Sequence, residues 1–272
     1  MIFETHAHYD DEAFDEDREE LLSSLPEKGI GTVINVCADV KSLDAARELI
    51  EKYPYVYGAA GIHPDHAGDL NEEIFEKLRQ LCRHPKVAAV GEIGLDYYWH
   101  RDPESHALQM EWFQRQMELA REEGLPFIIH SREAAADTLE AVKRLRGGEI
   151  GGVIHCFSYS RELAEEYLKM GLYLGIGGVV TFKNAKKLKE VVEYMPLDRL
   201  VLETDCPYLA PVPDRGKRNS SLELPYVVKA LAEIRGITPE EVIRATAENA
   251  RKLYRLPEER YGNEAGKPEA DH

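Results

Sequence analysis

Apolar positions along this chain recur in two patterns that alternate from one end to the other. Short runs rich in β-branched residues occupy 2–6, 32–37, 55–62, 87–92, 126–130, 152–157, 172–176 and 200–203. Runs this short and this continuous predict strands buried on both faces. Between them, helical spacing appears at 11–25, 43–52, 72–82, 106–123, 133–145, 162–170 and 185–194, and after the last run at 222–235, 239–245 and 247–254. In the 106–123 stretch, Leu108, Met110, Trp112, Phe113, Met117 and Leu119 form an apolar stripe while Gln109, Gln114 and Gln116 fall on other faces. Eight strand and helix units predict an α/β fold, a (β/α)8 TIM barrel with short extra C-terminal helices. The alternative, an open doubly wound sheet, would be unusually wide, and no Gly-x-Gly-x-x-Gly follows the first run. One barrel domain is expected over 1–256. A polar tail is expected over 257–272, where Gly, Pro and acidic residues replace apolar ones.

Composition narrows the partners. The 272 residues carry a formal charge of −16, with a pI near 5.1. This argues against a broad surface that coats nucleic acid, because such binding neutralises many phosphates with Lys and Arg. An anionic substrate would need a local island of positive charge. The cysteines, Cys37, Cys82, Cys156 and Cys206, are widely spaced with no Cys-x-x-Cys pair, as expected of reduced, buried thiols in a cytoplasmic protein. No basic segment precedes an apolar stretch at the N-terminus, and no apolar run is long enough to cross a bilayer. The expectation is a soluble protein with no membrane partner, monomeric or a small homo-oligomer.

Candidate chemistry begins at Glu-Thr-His6-Ala-His8-Tyr. In an extended strand side chains alternate faces, so His6 and His8 point the same way and offer two imidazoles to one cation. Two neutral imidazoles neither neutralise nor fill the shell of a divalent ion. Glu92, His130, His155 and Asp205 stand at or just past the ends of later strand runs, where barrel enzymes place their chemistry. Of ten histidines, five (His6, His8, His63, His130, His155) fall at predicted strand ends. The six ligands suffice for two divalent ions: His6, His8 and Asp205 on one, His130 and His155 on the other, with Glu92 bridging at the ~3.5–4 Å spacing of two-metal hydrolases. Ligation by nitrogen and oxygen without thiolate fits Zn, Mn, Co or Mg. Asp205 is a candidate general base. Glu203 shares its face by strand alternation, as a catalytic residue supporting the ligands or binding substrate; Glu4 raises the same question beneath His6.

Substrate contacts are expected from His63, Arg132, Tyr97 and Tyr208, which flank these motifs. The local positive charge is Arg215-Gly216-Lys217-Arg218, after the eighth strand, a candidate site for phosphates with Gly216 letting the backbone approach. Two enzyme classes fit, a phosphodiesterase and a hydrolase of carboxyl esters or amides. A metal-bound scaffold fits less well, because structural metal sites are normally closed.

These stretches resemble the TatD family of metal-dependent deoxyribonucleases among the amidohydrolase-like barrels. The resemblance spans nearly the whole chain. It is carried by Thr-His6-Ala-His8, Gly-Ile-His63-Pro, Gly-Glu92-Ile-Gly-Leu-Asp-Tyr-Tyr, Pro-Phe-Ile-Ile-His130-Ser-Arg132, His155-Cys-Phe-Ser, Glu203-Thr-Asp205-Cys-Pro-Tyr and Arg-Gly-Lys-Arg-Asn219. It implies a TIM barrel, divalent metals at the six ligands, and hydrolysis of DNA, commonly as a 3′ to 5′ exonuclease on single strands. It also leaves open removal of D-amino acids from tRNA, an activity that fits relatives of this family. The chain departs from the family pattern in Ser220-Ser221 where Glu-Pro is usual, in Tyr159 where Gly is usual, and in Glu4 where Asp is more common.

Overall fold

The computed structural model describes residues 1–257. Eight parallel strands follow one another in sheet order. They are β1 (Ile2–Ala7), β2 (Ile30–Val36), β3 (Val56–Ala60), β4 (Val87–Asp96), β5 (Phe127–Arg132), β6 (Gly152–Ile154), β7 (Tyr173–Ile176) and β8 (Leu200–Leu202). The ring is completed just beyond β8, where Ala7 bridges Cys206, the Asp205 amide donates to His6 O at 3.0 Å and the His8 amide donates to Cys206 O at 2.9 Å. The expected TIM barrel is therefore the fold. The strand residues are almost wholly buried, as burial between an outer helical layer and the interior requires.

The helices are α1 (Arg18–Ser24), α2 (Val40–Lys52), α3 (Glu72–Cys82), α4 (Pro103–Glu123), α5 (Ala135–Arg144), α6 (Gly147–Ile150), α7 (Arg161–Lys169), α8 (Lys186–Tyr194), α9 (Leu224–Arg235) and α10 (Pro239–Tyr254). One apolar cluster joins Phe3, Ile34, Ala59, Ala89, Ile128, Val153 and Val201 of the strands to Ala250, Leu253 and Tyr254 of α10. Tyr254 also donates its hydroxyl to Thr5 O at 3.0 Å, fastening α10 to β1.

Besides β6, which stops at Ile154 rather than at Phe157, and α6, which was not expected, three elements differ from expectation. The first helix is broken into a 3-10 turn (Glu12–Phe14) and α1. Arg18 folds back to donate to the carbonyls of Tyr9, Asp10 and Asp11, and the Asp11 side chain accepts from Ala13 N, so these groups hold a loop. β4 runs to Asp96 rather than stopping at Glu92, pairing Gly94 with His130 and Asp96 with Arg132. Gly94 makes this possible: its φ is +145°, and a Cβ there would stand 2.0 Å from His130 O. The two short terminal helices are one, α10, opened by a capping box between Thr238 and Glu241. Thr246, at the expected break, returns its hydroxyl to Val242 O at 2.8 Å and so is satisfied within the helix. Apart from Pro257, the expected polar tail lies outside the described residues. No described helix is long and apolar enough to cross a membrane. All four cysteines are free thiols.

Candidate metal centre

The C-terminal ends of the strands open into a cavity of about 830 Å³. His6 near the end of β1 and His8 just past it aim their Nε2 atoms at a common point, 3.1 Å from each other. Two carboxylates arrive there from distant strands. Glu92 Oε2 lies 3.2 Å from His6 Nε2 and 3.7 Å from His8 Nε2, and Asp205 Oδ1 lies 3.7 and 3.4 Å from the same atoms. His155 reaches the cluster from just past the end of β6, its ring stacked on that of His6 with centroids 3.5 Å apart and its Nε2 3.5 Å from Asp205 Oδ1. His130 Nδ1 faces Glu92 Oε1 at 2.8 Å. Asp205 and Cys156 hold left-handed backbone angles, φ +61° and +45°, a conformation that costs a non-glycine residue ~1–3 kcal/mol and persists only where surrounding structure dictates it.

All six expected ligands thus converge, and their grouping is informative. Among the described residues, donor atoms fall within mutual reach in five sets: His6, His8, Asp205; His63, Glu92, His130; His155, Cys156, Asp205; His6, His155, Glu203; and His63, Asp65, Asp96, so His155 groups with Asp205 and not, as expected, with His130. Glu92 Oε1 reaches both His130 and His155, at 2.8 and 3.8 Å. Three of the nitrogens turned away from the cluster have a close polar neighbour, two of them as hydrogen-bond partners. His8 Nδ1 is 2.8 Å from Val36 O, His155 Nδ1 is 3.1 Å from Glu203 Oε2, and His130 Nε2 is 3.0 Å from Asp96 Oδ2. Such outer partners fix ring orientation and tautomer in metal-binding histidines. His6 Nδ1 and His155 Nδ1 are both buried with no hydrogen-bond partner, Glu203 facing the latter as a charge contact only.

The charges in the cluster set one another. Burial opposes protonation of His8, but its bond to Asp205 and that carboxylate's charge push it up to about 9. Burial likewise opposes His130, and hydrogen bonds to Asp96 and Glu92 push it up to about 9. Glu92 and Asp205 stay far below the usual carboxylate range, because the imidazoles around them, His155 foremost, outweigh the burial that would raise them. His63 is pushed down to about 3 by burial and then by His130. Its Nδ1 accepts from Asp65 N at 3.1 Å, so the neutral ring carries its proton on Nε2. Ionised carboxylates that pull protons onto neighbouring imidazoles form a pocket that draws positive charge. The same nitrogen and oxygen donors fit a divalent cation.

The remaining predicted residues divide. His63, Arg132 and Tyr208 line the cavity. Tyr208 is exposed and donates to Asp11 Oδ2 at 2.9 Å. Glu203 lies behind His155, 1% exposed, where Oε1 accepts from Cys156 N at 2.6 Å. It does not line the cavity. Glu4 is buried beneath His6, with Oε1 accepting from the amides of His6 and Thr204 and Oε2 from Ser221 Oγ. Tyr97 stacks on His106 and donates to Asp137. The basic loop is engaged elsewhere: Lys217 pairs with Asp214, Arg218 holds Asp17 and Ala13 O, and Arg215 packs over Phe182 at 4.4 Å. None of these three cations lines the cavity.

Asp96 was not among the expected site residues. It is 1% exposed yet lines the cavity. The signal was parity, since Glu92 and Asp96 lie an even number of residues apart on one strand. Asp10, Asp11, Glu12, Asp39 and Asp65 join it on the lining, against Lys41 and Arg132. The mouth is therefore strongly acidic, which favours cations and opposes a bare polyanion.

Donors converging at the mouth of such a barrel, open to solvent on one side, define a metal-dependent hydrolase. The chain belongs to the TatD family, whose model, described as TatD related DNase, matches residues 3–255. It is 44% identical over 256 residues to the uncharacterized metal-dependent hydrolase YabD of Bacillus subtilis, covering 94% of this chain and 100% of that one. It is 35% identical over 250 residues to the 3′-5′ ssDNA/RNA exonuclease TatD of Erwinia billingiae, covering 90% and 95%. The crystal structure of the TatD homologue YjjV of Escherichia coli K12 superposes with a TM-score of 0.87 at 31% identity, covering 94% and 98%.

Proposed function

We propose that the chain is a metal-dependent phosphodiesterase that removes nucleotides from single-stranded DNA in the 3′ to 5′ direction. The observation that carries this is the joint convergence of four imidazoles and two carboxylates at an acidic, open mouth. A polyanion approaches such a mouth productively only once cations are bound there. The naming of the Erwinia billingiae relative as a 3′-5′ ssDNA/RNA exonuclease supports the choice of substrate.

In this proposal His6, His8, Glu92, His130, His155 and Asp205 hold two divalent cations. When bound, these supply Lewis acidity and bring the pKa of water towards ~7. Asp205, kept ionised by His155 and His8, orients the attacking water and takes its proton. Glu203 keeps His155 in place. His63, neutral and with an Nε2 proton, donates to a phosphate oxygen, and Arg132 supplies charge on the cavity wall. Tyr208 contacts the substrate from the side of Asp11. Arg215, Lys217 and Arg218, engaged by Phe182, Asp214 and Asp17, take no part in this reading.

The test is a side-by-side assay of purified protein with added Zn, Mn, Co or Mg on 3′- and 5′-labelled single-stranded DNA and on D-aminoacyl-tRNA. Shortening of single strands from the 3′ end, abolished by chelator, is expected. Cleavage of the aminoacyl ester with no cleavage of DNA would overturn the proposal in favour of ester hydrolysis.

A further inference from the structure

Trp99 is the most exposed of the large hydrophobic side chains among the described residues, at 63%. Its neighbour Tyr98 is exposed as well, at 37%, so the two rings form a contiguous aromatic patch of the kind that marks a binding surface. It lines the same cavity as His130, Asp96 and Arg132. The Arg132 guanidinium carbon lies over Tyr98, 3.9 Å from the ring centroid, and 5.6 Å from that of Trp99, while the two aromatic rings meet edge to face at 4.7 Å. The backbone under this cluster is pinned. Asp96 Oδ1 accepts from the amides of Tyr98 and Trp99 at 2.9 and 3.2 Å, while Oδ2 meets His130 Nε2 at 3.0 Å. A single carboxylate thus ties the turn bearing Trp99 to a ligand of the metal centre.

We infer that Trp99, backed by Tyr98 and Arg132, is a stacking subsite for a nucleobase next to the phosphate being cleaved, resting on the nuclease activity proposed above. An acidic mouth gives the phosphate backbone little electrostatic grip away from the cations, so affinity must come from elsewhere. Aromatic faces supply it without regard to sequence, since every base has a π face. The subsite also discriminates between strands. A base held in a duplex has both faces occupied, whereas a base in a single strand is free to lie on the indole.

The test compares parent, Trp99→Phe and Trp99→Ala on a single-stranded oligodeoxynucleotide and on the same backbone made abasic, with metal present. For the base-bearing strand, Trp99→Ala should raise KM about 5- to 150-fold, the range that alanine substitution of stacking residues produces. kcat should move far less, and Trp99→Phe should restore most of the loss. The KM for the abasic strand should rise much less. With metal present and phosphorothioate strands that resist cleavage, the emission lost between parent and Trp99→Ala reports Trp99; base-bearing strands should quench it more strongly than abasic ones. If the parent cleaves single-stranded DNA and Trp99→Ala leaves KM unaltered, or raises it equally for both strands, the subsite is refuted while the nuclease stands. If the parent cleaves no DNA, both fall.

Discussion

Asp96 Oδ2 lies 3.0 Å from His130 Nε2, on the side of the ring opposite the nitrogen that faces Glu92. His130 is held between two carboxylates, one at the cluster and one behind it. Removing the rear partner frees the ring to rotate and leaves its outer nitrogen without an acceptor. Asp96→Ala is expected to weaken divalent metal binding about 10- to 100-fold, the usual effect of losing such a partner. A metal titration by calorimetry or a competing chelator checks it; unaltered affinity would remove Asp96 from the site.

Asp205→Asn should abolish turnover, by a factor on the order of 10² or more, while the protein still melts cooperatively. Chelation of the parent should do the same and be reversed by divalent cation. A variant that hydrolyses substrate as fast as the parent would rule out Asp205 as the base.

At Gly175 on β7 an added Cβ would stand 2.1 Å from Glu203 Oε2. Gly175→Ala must therefore push Glu203 away from His155 and from the Cys156 amide. The expected cost is about 1–3 kcal/mol in denaturant unfolding, typical of overpacking, together with weaker metal binding. A stable variant with full affinity would mean that Glu203 has freedom that its burial does not suggest.

Glu4 gives a pH dependence with a definite sign. Complete burial pushes its carboxyl up to about 8 in the folded protein, against the opposing hydrogen bonds from Thr204, His6 and Ser221. The unfolded chain releases this proton near 4.5, so between about 4.5 and about 8 the folded state holds a proton that the unfolded state has lost. Stability from this group is complete below the lower value and declines with rising pH by up to about 1.4 kcal/mol per unit until the upper one. In Glu4→Gln that component should vanish. Unfolding free energies of parent and variant in chelator, compared across this window, should diverge in the variant's favour as pH rises; a constant difference would contradict the raised value.

Much of the molecule was legible from periodicity alone. Buried strands and amphipathic helices announce themselves over a few residues, and eight alternations leave a barrel as the economical closure. The pairing of His6 with His8 was also local, because alternation along a strand puts residues two apart on one face. Placing Glu92, His130, His155 and Asp205 at the same mouth needed only the rule that parallel strands present their C-terminal ends together.

What tertiary structure decided begins where local rules stop. The sequence pattern ended β4 at Glu92, and only the close approach of Gly94 to His130 extends it to Asp96, which makes that carboxylate a partner of the site. Arg215, Lys217 and Arg218 read as free positive charge, but Asp214 and Asp17 engage two of them and Phe182 the third. The distance from His8 to Asp205, 3.4 Å across 197 positions of chain, depends on the ring closing through Asp205 N and His6 O. Periodicity encodes which face a residue occupies. Separations between residues far apart in the chain are set by the register and curvature of the closed sheet, to which every strand contributes.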